Sequence, residues 1–202
     1  MFLCTRVNQP TRQDERKIDR VIGFISISKF KKRILTGKGV TRQICAYVDA
    51  LFSTHPDRKG HIGLIIMWEN VEVVILSRKQ KIATKDSTKL NLVAMSDMFE
   101  RVEWAYEYLV ERRFIMDTPK LYCDNTSTIT IVRSNERKPL RNRHLTARQG
   151  IMHEVIYTRK FAHLEHKYTE YMIADAMTKS LTGTLFTRFM NAIMGWTKLH
   201  KA

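Results

Sequence analysis

Arg141, Arg143, His144 and Arg148 crowd into one short segment, and side chains of this kind hold phosphate, the guanidinium groups bidentately. The wider segment 133–148 carries six Lys/Arg against one Asp/Glu, and residues 1–43 carry eleven against three. Clustering of that kind makes an electrostatic footprint for a polyanion, although a solvated basic face is the plainer reading. Thr36-Gly37-Lys38-Gly39 has the look of a phosphate loop, but Lys32 stands where the upstream glycine is required and Gly39 where the closing Ser/Thr is required. That chemistry is rejected. His55, Asp57 and His61 are metal-ligand types, yet all three fall in one polar turn expected to be exposed, and they read as turn residues. A single acid at a strand end, such as Asp49 or Asp124, reads by itself as a turn or cap residue.

The whole chain agrees with a polyanionic partner. Its 202 residues carry 35 Lys+Arg against 20 Asp+Glu, a net charge of +15 and a pI near 9.9, which favours nucleic acid or an acidic membrane surface. With 44% hydrophobic and 27% charged residues, the chain can bury one sizeable core plus an accessory segment. The longest apolar run, Ile62 to Trp68, is too short to cross a bilayer, and Met1-Phe2-Leu3-Cys4-Thr5-Arg6 lacks the layout of a signal peptide. A soluble intracellular protein, cytoplasmic or nuclear and without a membrane partner, is expected. Cys4, Cys45 and Cys123 are odd in number and far apart, so reduced structural thiols are expected.

Patterning then supplies the elements that must position these groups. Thr11 can cap a helix with Asp14 three residues on, and Ile18, Val21, Ile22 and Ile25 recur on one face to about Lys29. Ile44, Ala46, Val48 and Ala50 alternate with Cys45, Tyr47, Asp49 and Leu51 in a strand. His61–Trp68 and Val71–Leu76 read as two further strands, and Ser87 and Thr88 open a long helix reaching about Phe114. A short strand at Lys120–Asp124 leads into a helix capped within Asn125-Thr126-Ser127, followed by a helix over 143–159 and a strand over 161–168. Thr169, Met172, Ile173 and Ala176 mark a further helix, and 184–199 a terminal one. The order β-β-β-α-β-α-α-β-α predicts an α/β fold whose mixed sheet has its antiparallel part first.

Several stretches carry a resemblance together: LCTRVNQPTRQDERKIDR, AYVDALFSTHPDRKGHIG, SRKQKIATKDST, LYCDN, NRHLTAR and YTEYMIADAMTKSL. In order and spacing they resemble the ribonuclease H region of Copia-type retrotransposon Pol polyproteins, with the end of the reverse transcriptase region before it. The resemblance implies a ribonuclease H-like mixed five-stranded sheet flanked by helices, preceded by a helical segment. It divides the chain into a helical remnant of the reverse transcriptase end (1–43), a ribonuclease H-like domain (44–182) and a C-terminal helix (183–202). In that family four carboxylates hold two magnesium ions at the scissile phosphate of an RNA strand paired to DNA. One ion helps generate hydroxide and the other stabilises the leaving oxygen.

Carried over residue by residue, the resemblance makes Asp49 of YVDA, Asp124 of YCDN and Asp175 of IADAMTK three of the four metal-binding and catalytic carboxylates. At the fourth position the family reads STEAEYMAL, with its second Glu as ligand, whereas this chain reads STKLNLVAM and places Asn91 there, two residues after Lys89. Residues on the same helical face, Ser87, Thr88, Ala94, Met95 and Met98, include no acid to replace it. The site would offer roughly −3 rather than −4 to ions carrying +4 together, so weak or single-metal Mg2+ binding is expected. Further departures are Trp68-Glu69-Asn70-Val71 for a glycine-rich hairpin, Ile75 for Trp and Tyr168 for Pro. The expected function is a catalytically impaired ribonuclease H-like module that binds RNA/DNA hybrid or duplex nucleic acid and can pair with a polymerase region. The rivals are an active magnesium-dependent ribonuclease H that tolerates Asn91, and a polyprotein fragment without a role.

Overall fold

The computed structural model describes residues 3–34, 42–52, 54–55, 57–69, 71–84, 86–134 and 143–197. After a short 3-10 turn at Leu3–Arg6, Thr11 starts helix α1 (Arg12–Ser28) as the sequence predicts. The Asp14 N–H donates to the Thr11 hydroxyl oxygen at 3.3 Å, and the Thr11 N–H donates to the Asp14 carboxylate at 3.0 Å, a reciprocal capping box. The apolar stripe of α1 does not sink into a core. Ile18, Val21, Ile22 and Ile25 remain 46–59% exposed, while Phe24 meets Phe186 edge-on at a centroid distance of 5.9 Å.

Strands β1 (Ile44–Leu51), β2 (His61–Trp68) and β3 (Val71–Lys79) form an antiparallel meander, and β4 (Lys120–Cys123) and β5 (His163–His166) extend it in parallel on the β1 side. The order β3-β2-β1-β4-β5 is the mixed five-stranded sheet that the element order predicts. Glu69, in the turn where the resemblance implies a glycine-rich hairpin, adopts φ 59°, a left-handed conformation that glycine takes at no steric cost.

Alternation along β1 assigns its two faces. Ile44, Ala46, Val48 and Ala50 join Ile62, Leu64 and Ile66 of β2 in a core covered by α2 (Ser87–Glu111), α3 (Thr126–Arg133) and α4 (Arg143–His153). A π turn, Glu154–Thr158, continues α4. Met95, Met98 and Val102 supply the buried stripe of α2. On the other face Tyr47, Ile65, Met67 and Tyr122 pack against Met172, Ile173 and Ala174, and against Phe189, Ala192 and Ile193 of α6 (Gly183–Ile193). The helix predicted from Thr169 through Ala176 is not continuous: a 3-10 turn at Thr169–Tyr171 and then α5 (Asp175–Thr178) replace it. The segments that follow α1 and α6 meet beside β3. The Trp196 indole donates to the Lys32 carbonyl at 2.7 Å, and Arg33 pairs with the buried Glu72. No helix among the described residues is long and apolar enough to cross a membrane.

Candidate metal centre

Asp49 and Asp124 come together by strand register. In the parallel ladder between β1 and β4, Tyr47 lies opposite Tyr122, their rings 4.9 Å apart. Asp49 and Asp124 each follow two residues later and therefore leave the same face of the sheet, side by side. Asp175 arrives from that face as the first residue of α5. At least one carboxylate oxygen of each residue lies within 4.8 Å of the others', and Asp49 and Asp175 are buried. The three acids named from the sequence are thus gathered in one place.

Their electrostatics are those of a site short of positive charge. Burial, then the charges of Asp49 and Asp124, hold the Asp175 carboxyl well above the usual carboxylate range against the pull of Lys179. Burial first and the Asp49 charge second raise Asp124 as well. The Thr178 hydroxyl donates to Asp49 Oδ2, and the Thr169 hydroxyl donates to Asp124 Oδ2 at 3.3 Å. Lys179 reaches in from the end of α5, its Nζ 2.8 Å from Asp175 Oδ1 and 3.7 Å from Asp49 Oδ2. Burial alone would lower the Lys179 pKa, but Asp49 and the bond to Asp175 turn the shift upward. Sequence reasoning missed Lys179 and Thr178. The signal available for Lys179 was its helical spacing, one turn after Asp175.

Asn91 stands in the second turn of α2 and is 4% exposed. Its amide nitrogen donates to the Ser87 carbonyl at 3.0 Å, whereas its Oδ1 is buried without a hydrogen-bond partner. The helix begins at Ser87 as the sequence predicts and is capped by Asp86, the Lys89 N–H donating to the Asp86 carboxylate at 2.8 Å. Lys89 also turns its ammonium onto Asp86, so its charge is balanced locally.

The basic cluster divides. Arg141 and Thr36–Gly39 lie outside the described residues. Arg143 and His144 are exposed at the start of α4. Arg148 is drawn inward, its Nη2 2.9 Å from Asp97, with a side chain 20% exposed. His55 and His61 correct the expectation of an exposed turn: both are 4% exposed, His61 as the first residue of β2. His55 Nε2 and His61 Nδ1 are 3.0 Å apart, His61 Nε2 lies 2.8 Å from Ser77 Oγ, and that hydroxyl donates to the Met177 carbonyl at 2.7 Å. Asp57 instead pairs with Lys79 at 2.7 Å.

The histidine pair carries a pH dependence. Burial lowers both pKa values, and with the His55 charge it brings His61 down to about 4 from 6.5. The folded chain then holds fewer protons than the unfolded one between those values. Its stability is full above about pH 6.5 and falls as pH drops toward 4, by on the order of 2 kcal/mol. Denaturation midpoints across that range should show the fall, and His55→Gln/His61→Gln should flatten it. An unchanged profile in the double variant would remove these rings from the account.

Comparison with known proteins bears on the fold. No protein-family model matches the chain. Over 191 residues it is 22% identical to the Retrovirus-related Pol polyprotein from transposon RE1 of Arabidopsis thaliana, covering 93% of this chain. The chain is similar to a Copia-type Pol polyprotein. It spans 13% of the length of that Pol polyprotein. Among solved structures, LC11-RNase H1, isolated from compost by a metagenomic approach, aligns with a TM-score of 0.51 at 16% identity, covering 68% of this chain and 94% of its own. The N-terminal RNase H domain of a Mycobacterium tuberculosis protein aligns at 0.47 and 10% identity, over 75% of this chain and 99% of its own. The chain has a ribonuclease H-like fold.

Proposed function

We propose that this chain is a ribonuclease H-like module that binds RNA/DNA hybrid or duplex nucleic acid and hydrolyses RNA poorly or not at all. The observation that carries this reading is the convergence of Asp49, Asp124 and Asp175 within 4.8 Å, while position 91 brings a neutral amide anchored on Ser87. The donor set suits a hard cation such as Mg2+, since all three side chains offer carboxylate oxygens. Asp49, Asp124 and Asp175 would hold the ion. When bound, magnesium supplies charge to the phosphate and lowers the pKa of water. Thr178 and Thr169 fix the orientations of Asp49 and Asp124, and Lys179 fixes Asp175. Asn91 contributes no charge where the resemblance implies one.

The basic surface supplies the hold on the backbone of the nucleic acid. Arg143 and His144 are the contacts we assign among the described residues, with Arg141 beside them in sequence, whereas Arg148 serves the body through Asp97. The exposed stripe of α1 is the surface we assign to a polymerase region.

Anisotropy titrations of a labelled RNA/DNA hybrid against salt test the binding reading. Affinity should fall steeply with salt, and Arg143→Ala should reduce the log–log slope by about one unit. Arg148→Ala should lower stability and leave that slope in place. Absence of binding at low salt by folded protein ends the nucleic-acid reading, and an unchanged slope in Arg143→Ala ends the assignment of this patch.

A further inference from the structure

The Lys179 ammonium stands among the carboxylates as a cation would. It bridges two elements, 2.8 Å from Asp175 on α5 and 3.7 Å from Asp49 on β1. Its backbone is pinned, because the Lys179 N–H donates to the Asp175 carbonyl at 2.8 Å. With the three acids ionised, this single ammonium leaves a net charge of −2, which one divalent ion balances. We infer that Lys179 is a built-in counter-ion that takes the place of one of the two cations of a ribonuclease H-like site and competes with divalent metal for Asp49 and Asp175. The inference rests on the metal reading above and deepens it.

Two features make competition, rather than a fixed salt bridge, the consequence. A cation tethered to the site acts at a high effective concentration, so a free ion must displace it. The displaced side chain also has somewhere to go: Lys179 walls a cavity of about 440 Å³ shared with Leu51, Thr54, Ser77 and Ser180. Its side chain is already 30% exposed, so withdrawal of the ammonium restores hydration at little cost.

Binding of Mn2+ alone to the full chain, followed by the spin-resonance signal of the free ion, provides the test. Lys179→Gln should bind Mn2+ at least about tenfold more tightly than the native chain, whereas Lys179→Arg, which keeps the charge, should stay weak. In chelator, Lys179→Gln should melt below the native protein, since its carboxylates lose their neutraliser, and added Mn2+ should restore it. A need for Mn2+ to fold at all is the same rescue in stronger form. If folded Lys179→Gln binds Mn2+ no more tightly than the native chain, Lys179 is a salt-bridge partner only and the inference is overturned. Asp175→Asn separates that failure from failure of the metal reading: loss of native Mn2+ binding in this variant keeps the metal reading whatever Lys179 does. If neither the native chain nor Lys179→Gln takes up Mn2+ at millimolar concentration, both readings fall.

Discussion

Asn91→Glu is expected to raise cleavage of the RNA strand of an RNA/DNA hybrid by at least about a hundredfold over the native chain in Mg2+, a barrier change of roughly 2.7 kcal/mol. The reasoning is electrostatic. Position 91 is buried, and its amide oxygen lacks a partner. A carboxylate there adds one full charge, and a charge pair about 4 Å apart at an effective dielectric of 20 is worth on the order of 4 kcal/mol. Even after desolvation takes part of that, two decades in rate remain within reach. Mg2+ affinity should rise in parallel, measured calorimetrically. Asp124→Asn added to Asn91→Glu should abolish the gain, because it removes a carboxylate from the same cluster. If the native chain already cleaves as fast as the Glu variant and loses activity with Asp124→Asn, the chain is an enzyme as it stands and the impaired reading is wrong. If neither form cleaves while both fold, decay extends beyond residue 91.

That experiment depends on features the sequence displayed unequally. YVDA and YCDN are short motifs with the same internal spacing, so once the two strands are parallel neighbours with Tyr47 opposite Tyr122, the acids must meet. Local patterning was enough there, as it was for the Thr11 capping box, whose partner is three residues away. What local patterning missed was set by distant segments. Arg148 looked available for phosphate because Asp97, its ion-pair partner, lies 51 residues earlier on another helix. His55 and His61 looked exposed because polarity in a turn predicts exposure, yet a Ser77 hydroxyl on β3 and the Met177 carbonyl give their polar atoms a route indoors. Helical periodicity ran through Thr169–Ala176, but the chain spends that stretch on a 3-10 turn before the short α5, whose start at Asp175 brings that acid to Asp49 and Asp124.

Gly63→Ala should dismantle this arrangement from a position that carries no chemistry of its own. Gly63 is the β2 residue directly opposite Asp49, and α5 lies against it. A Cβ added there would stand 2.7 Å from Met177 Cβ, 2.8 Å from the Ala174 carbonyl oxygen and 2.9 Å from Thr178 Cγ2. None of these is the loose end of a flexible side chain, so relief requires α5 to move off the sheet, taking Asp175, Thr178 and Lys179 with it. Overpacking of this kind costs typically about 1–3 kcal/mol, readable as a lowered denaturation midpoint. Because those residues hold and orient the acids, Mn2+ affinity should fall about 10–100-fold, the range expected when groups that position metal ligands are lost. Gly150→Ala supplies the matched control: it lies in α4 with nothing within 4 Å of the new methyl, and the same substitution there should stabilise by about 0.5–1 kcal/mol. Native stability in Gly63→Ala, together with unaltered Mn2+ binding, would show that α5 is not seated by the missing side chain and that Asp175 is brought to Asp49 by some other contact.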